Sequence, residues 1–168
     1  MFKSLTNLSE VPNPELAGAP AKPVVLIVED DANLVKVYSK VLELNGYEVI
    51  TASYALPALF RVVRRQPDVI LADLNMPKMS GLELLAQLKA HDDTKDIPVV
   101  MITGSVYPED RDAAFKAGCS AYIKKPVDTK EFLQQIAALV RAPSGGNPVA
   151  PLPSSTPAAA KPAVANRC

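Results

Sequence analysis

Little in this sequence lends itself to cross-linking, to membrane insertion or to capture of a polyanion. Its two cysteines, Cys119 and Cys168, lie far apart, so neither a disulfide framework nor a zinc spacing is available. The 18 basic and 18 acidic residues cancel, which removes the electrostatic argument for nucleic acid or an acidic membrane surface as a direct partner. No basic start followed by a long apolar run marks a signal peptide, and no run of about 18 apolar residues could cross a bilayer. A reducing, cytoplasmic setting is the simplest expectation. No Gly-rich turn follows the first apolar run, which excludes a dinucleotide-binding reading.

Proline, by contrast, is plentiful at the two ends. Ten of the 16 prolines fall in residues 1–23 or 143–168, among Gly, Ser, Ala and Asn. The tail "APSGGNPVAPLPSSTPAAAKPAVANRC" has no aromatic residue and no periodicity, so it cannot bury enough apolar surface to offset the entropy of ordering. The expected organisation is a flexible extension over 1–23, one folded domain over 24–142, and a disordered Pro/Ala-rich tail or linker stub over 143–168. With no further foldable segment in this sequence, the domain is expected to act alone or to be a fragment of a longer protein.

Between the ends, apolar runs alternate with helical periodicity. "VVLIV", "YEVITA", "DVILAD", "IPVVMIT" and "AYIKK" read as strands. Asp31–Asn45, Ser53–Arg65, Gly81–Ala90, Pro108–Ala117 and Asp128–Arg141 read as helices. Gly46 and Gly118 act as stops, Pro57 sits near a first turn, and Asp128 or Thr129 caps the last helix. Five strands alternating with five helices predict right-handed crossovers and a five-stranded parallel sheet, doubly wound in the flavodoxin-like manner. In such a sheet ligands bind at the carboxyl ends of the strands.

What stands at those ends is polar. The first strand runs into Glu29, Asp30 and Asp31; the third ends in Asp73, Leu74 and Asn75. The fourth ends in Thr103, Gly104 and Ser105, and the fifth in Lys124, Lys125 and Pro126. Carboxylates this close do not all stay ionised without a positive charge between them. A donor set of carboxylates and hydroxyls without His or Cys suits a hard cation, magnesium above all. Such a metal beside a carboxylate, a hydroxyl and an ammonium is the apparatus of phosphoryl transfer. Asp73 would be the nucleophile, Thr103 a hydrogen-bond donor to a phosphoryl oxygen, and Lys125 a point charge on another.

The segments "VLIVEDD", "PDVILADLNMPKMSGLELL", "IPVVMITG" and "GCSAYIKKPVD" together resemble the receiver domain of two-component response regulators, the CheY-like family, over the whole folded span. The resemblance implies that Asp73 accepts phosphate from a histidine kinase or phosphotransfer protein. It implies that Glu29 and Asp30 form the acidic pair, and that magnesium is held by Glu29, Asp30, Asp73 and the backbone carbonyl of Asn75. Thr103 matches the switch hydroxyl, Tyr122 the switch aromatic and Lys125 the family lysine, while Asn75 and Ser105 stand where side chains tune the lifetime of the phosphate. Output would be a contact of the α4-β5-α5 face with a downstream protein, or a homodimer. Such a domain is a phosphoacceptor rather than an enzyme acting on other substrates.

Several residues have plainer readings. Asp31 is expected to cap the first helix, Lys124 to point away from Lys125, His91 to be exposed and inert, and Cys119 to pack as a small apolar side chain. Cys168 lacks a prenylation context. Tyr54 and Ala55 stand where many receivers carry Asn-Gly, Gly104 where alanine is frequent, and Lys78 adds a charge near the site. Two alternatives remain: a degenerate receiver that binds partners without phosphate, and a haloacid-dehalogenase-type Mg2+ phosphatase. The second expects its aspartate after the first strand in a D-x-D pattern, and a cap insertion, neither of which occurs here.

Overall fold

A computed structural model of the chain describes residues 22–105 and 107–141. The expectations for the extension before Lys22, for the 143–168 tail and for Cys168 lie outside the described residues. The elements are β1 (Val24–Val28), α1 (Ala32–Leu44), β2 (Glu48–Ala52), α2 (Ala55–Arg65), β3 (Val69–Asp73), α3 (Gly81–Ala90), β4 (Val99–Thr103), α4 (Pro108–Lys116), β5 (Ala121–Lys124) and α5 (Thr129–Arg141). The strands form one parallel sheet in the order β2-β1-β3-β4-β5. Strand order reverses between β1 and β3, so their carboxyl ends flank the crevice where ligands of such sheets bind.

Burial explains why the central strands carry no polar residue until their ends. Every residue of β3 and β4 is buried, because helices cover both faces. Alternation sorts the side chains into two cores. Leu26, Val28, Ile70, Ala72, Val99 and Met101 meet Ala58 and Val62 of α2, Leu84, Leu85 and Leu88 of α3, and Ala114 of α4. Val25, Ile27, Val69, Leu71, Val100 and Ile102 meet Tyr38 and Leu42 of α1 and Phe132 and Ile136 of α5. The rings of Tyr38 and Phe132 lie 5.6 Å apart, joining α1 to α5 on the same face of the sheet. Full burial of a side chain such as Phe132 stabilises the fold by about 2–3 kcal/mol.

Element ends differ from the sequence reading by one or two residues, for local reasons. Asp31 lies outside α1 as its cap, its carboxylate accepting from the N–H groups of Asn33 and Leu34 at 2.8 and 3.3 Å. Helix α2 starts at Ala55 rather than Ser53, with Tyr54 extended before it. Pro57 is then its third residue, where the backbone N–H has no intrahelical acceptor to lose. Strand β4 begins at Val99, since Pro98 has no N–H to donate and the Ile97 N–H is turned to Thr94 O. Asp128, not Thr129, caps α5, accepting from the Glu131 N–H at 2.8 Å. Cys119 is buried and its thiol donates to Ala121 O, with burial pushing its pKa up to about 11.

One glycine is fixed by close approach. A Cβ on Gly81 would stand 2.3 Å from the Asp73 carbonyl oxygen and 2.5 Å from Met101 Cε, so α3 starts hard against the end of β3. The Gly81 N–H donates to Leu74 O at 2.9 Å, fastening the same contact. By contrast, a Cβ on Gly104 would meet nothing within 4 Å. Gly81→Ala is therefore expected to lower stability by about 1–3 kcal/mol, the usual cost of overpacking, while Gly104→Ala leaves it within about 0.5 kcal/mol. Urea midpoints of the two variants check this contrast.

Candidate functional site

The carboxyl edge of the sheet gathers side chains from the ends of four strands, β1, β3, β4 and β5, and the loops after them. Backbone register does the positioning. The Glu29 N–H donates to Ala52 O, carrying β1 one residue past its last paired position. The Lys125 N–H donates to Thr103 O at 2.7 Å, which sets Lys125 level with the end of β4. Carboxylate oxygens of Glu29, Asp30 and Asp73 all lie within 4.8 Å of one another. Glu29 and Asp73 are buried and Asp30 is exposed, so the cluster opens to solvent on Asp30's side.

Lys125 holds this cluster together. Its Nζ donates to Glu29 Oε2 at 2.8 Å and lies 3.5 Å from Asp73 Oδ1. The first contact is a charge-assisted hydrogen bond. The second is an ion pair without hydrogen-bond geometry, and Asp73 Oδ1 is buried with no hydrogen-bond partner at all. Burial pushes the Glu29 carboxyl above its ordinary range, and the Asp73 charge adds to this, while Lys125 opposes it. For Lys125, burial favours the neutral amine, but the bond to Glu29 and the charge of Asp73 outweigh it and raise the pKa. The ammonium is therefore charged at neutral pH, facing two acids that repel each other.

Thr103 is fully buried, and its Oγ1 accepts from the Ser105 N–H at 3.0 Å. That bond uses a lone pair and leaves the hydroxyl proton to be donated elsewhere. Behind it, the Tyr122 hydroxyl is buried without a hydrogen bond. Burial raises the Tyr122 pKa, the nearby Asp110 charge raises it further, and Thr103 opposes them; the two hydroxyls face each other without meeting hydrogen-bond geometry. Ser105 Oγ donates to Asp110 Oδ2 in the first turn of α4 and accepts from the Tyr107 N–H at 3.3 Å.

The residues singled out in the sequence thus fall into groups. Glu29, Asp30, Asp73 and Lys125 meet at one place, and Thr103 and Tyr122 pair beside them. Asn75 is exposed in the β3–α3 loop, and Ser105 is engaged with Asp110. Asp31 is committed to its cap, Lys124 and His91 are exposed, and Cys119 is core. Two pairings were not read from the sequence. Asp110 shows only as an acid in a helix's first turn, and nothing in sequence spacing ties it to Ser105. Lys78, with φ 71°, stands over the Tyr54 ring with its Nζ 5.3 Å from the centroid, so two oddities of the sequence are one contact.

The three carboxylates offer only hard oxygen donors, and Asp73 Oδ1 is a buried acceptor with no hydrogen bond and only a loose ion pair to Lys125. Both features fit a divalent cation and a phosphoryl group.

The family model described as response regulator receiver domain matches residues 25–137. The polar-differentiation response regulator DivK of Brucella anthropi is 37% identical over 112 residues, 67% of this chain and 91% of that protein. Among solved structures, a putative response regulator from Chloroflexus aurantiacus aligns with a TM-score of 0.69 at 28% identity, covering 72% of this chain and 99% of its own. Chemotaxis protein CheY4 of Vibrio cholerae aligns at 0.68 and 29%, covering 71% and 99%.

Lys125→Met would leave Glu29 and Asp73 buried together with no counter-charge. Stability is expected to fall by up to about 3 kcal/mol at neutral pH. The sign of its pH dependence is fixed by Glu29. Its folded pKa is raised, so its contribution is complete below the unfolded value and lost as pH rises through the folded one. Without Lys125 that pKa rises further, and the deficit against the parent shrinks as pH falls from about 8 to about 5. Denaturant midpoints across that range check it; a deficit independent of pH would contradict it.

Proposed function

The chain belongs to the response regulator receiver family, and on that footing we propose that it receives a phosphoryl group on Asp73. The observation that carries the proposal is the Asp73 carboxylate: buried, lacking a hydrogen bond on Oδ1, and 3.5 Å from the Lys125 ammonium. With the lysine's hydrogen bond spent on Glu29, no hydrogen bond on Oδ1 quenches this carboxylate as a nucleophile.

The donor is a phosphohistidine on a histidine kinase or phosphotransfer protein. Asp73 attacks phosphorus in line; the new O–P bond forms as the P–N bond breaks, and the imidazole departs and takes up a proton. Lys125 Nζ and the Thr103 hydroxyl donate to phosphoryl oxygens as charge shifts onto them. Glu29, Asp30, Asp73 and the carbonyl of Asn75 would hold Mg2+, which when bound supplies charge neutralisation between the acids and the phosphoryl group. Glu29 then serves two masters, since the Lys125 ammonium on Oε2 and the Asp31 N–H on Oε1 orient a carboxylate whose oxygens lie within the acidic cluster.

Signalling follows as a population shift. Drawing the Thr103 hydroxyl to the phosphoryl group empties the space beside Tyr122. The ring, whose hydroxyl has no hydrogen bond holding it, moves in and reshapes the α4-β5-α5 face. Asn75 and Ser105 tune the lifetime of the phosphate, and the Ser105–Asp110 bond ties that tuning to α4. The output is contact with a downstream protein or a second copy, in the cytoplasm, without direct nucleic-acid binding. No helix among the described residues is long and apolar enough to cross a membrane. The activity is confined to phosphotransfer onto, and loss from, its own aspartate.

Incubation with Mg2+ and a small acyl phosphate is expected to add the mass of one phosphoryl group, and Asp73→Asn to add none. Mg2+ alone is expected to raise the melting temperature by mass action, and Asp30→Asn to remove that rise. A parent chain that gains no mass under these conditions is a phosphate-independent receiver.

A further inference from the structure

Helix α2 leaves three large apolar side chains in water. Leu56, Phe60 and Val63 are 57%, 68% and 70% exposed. Their spacing puts them in one stripe along the helix, while Ala55, Ala58 and Val62 on the other side are buried against the sheet. Arg64, with Arg61 and Arg65 beyond it, borders the stripe on its Pro57 side, and α2 contains no acid. Leu56, Phe60 and the arginines line a shallow groove of about 530 Å³ that begins at Tyr54. A contiguous apolar stripe with a charged rim marks a binding surface more often than scattered exposed residues do. A second copy laid symmetrically on it would press arginine against arginine. The surface calls for an occupant that is aliphatic and acidic.

The chain itself carries one, tethered at the right place. The Glu48 N–H donates to Pro23 O at 2.9 Å, and the Glu48 carboxylate pairs with Arg65. The chain before Pro23 therefore leaves the sheet beside the last turn of α2. Residues 4–21 include Leu5, Leu8, Val11 and Leu16, and their only charges are Glu10 and Glu15. The helix is about 16 Å long, and the seven residues from Leu16 to Pro23 reach up to about 25 Å. So short a tether gives an effective concentration in the millimolar range, which favours this segment over a partner in trans.

We propose that residues 4–21 dock along α2, their aliphatic side chains covering Leu56, Phe60 and Val63, with Glu10 and Glu15 facing Arg61 and Arg64. This inference does not rest on the phosphoacceptor reading. The test uses the whole chain with a benzophenone amino acid replacing Phe60. Photolysis is expected to give a product of monomer mass whose cross-linked peptide falls within residues 4–21. Glu10→Lys with Glu15→Lys is expected to cut that yield about threefold or more through charge repulsion, and adding Arg61→Glu with Arg64→Glu to restore it. Cross-links only between two chains, none reaching residues 4–21, or a yield indifferent to the charge reversals would each overturn the proposal.

Discussion

Three carboxylates share one end of a parallel sheet, and the Lys125 ammonium is the charge that lets them do so. Glu29 and Asp73 are buried side by side and would repel each other strongly in a medium of low dielectric. Lys125 reaches both, with a hydrogen bond to one and a looser ion pair to the other. That asymmetry matters chemically. On the proposed reading a symmetric pairing would satisfy Asp73 and blunt it as a nucleophile; here Glu29 takes the hydrogen bond and Asp73 Oδ1 has none, only the looser ion pair.

The fold supplies this geometry through backbone contacts. Asp73 lies at the last position of β3, paired in register with Ile102, and α3 is pinned against its carbonyl by Gly81. Thr103 follows Ile102 and accepts from the Lys125 N–H through its own carbonyl, so the Asp73 carboxylate, the hydroxyl and the ammonium sit on adjoining strand ends. The Ser105–Asp110 bond then links the loop after Thr103 to the first turn of α4. On the proposed reading, this chain of bonds from Thr103 through Ser105 to α4 is the route by which a shift of the Thr103 hydroxyl would reach a helix.

The architecture was legible in the sequence because strands buried on both faces leave unbroken apolar runs, and their ends are marked by the first charges. "VVLIV" before Glu29 and "VILA" before Asp73 are of this kind. The meeting of Asp30, Asp73 and Lys125 followed from parallel topology, which brings all carboxyl ends to one edge. Boundaries were less legible where a single backbone donor decides them, as at Pro98, or where an aromatic residue replaces a capping one, as at Tyr54. What the sequence could not disclose was pairing between side chains. Which acid takes Lys125's hydrogen bond, the seat of Lys78 over Tyr54, and the tie from Ser105 to Asp110 depend on rotamers and loop paths that no periodicity encodes. The exposed stripe on α2 was hidden for another reason: a helix with apolar residues on two sides reads from sequence as one with a wide core face.

The central claim is that the side chain at position 73 carries the labile phosphoryl group as a mixed anhydride. Chemical reduction of the phosphorylated protein with borohydride tests this directly, because it converts an aspartyl phosphate to homoserine and leaves a free carboxylate unchanged. Homoserine at position 73, mapped by peptide mass spectrometry, is the result expected. Homoserine at another aspartate, or a phosphoryl group that resists reduction on a hydroxyl or imidazole, would contradict the account.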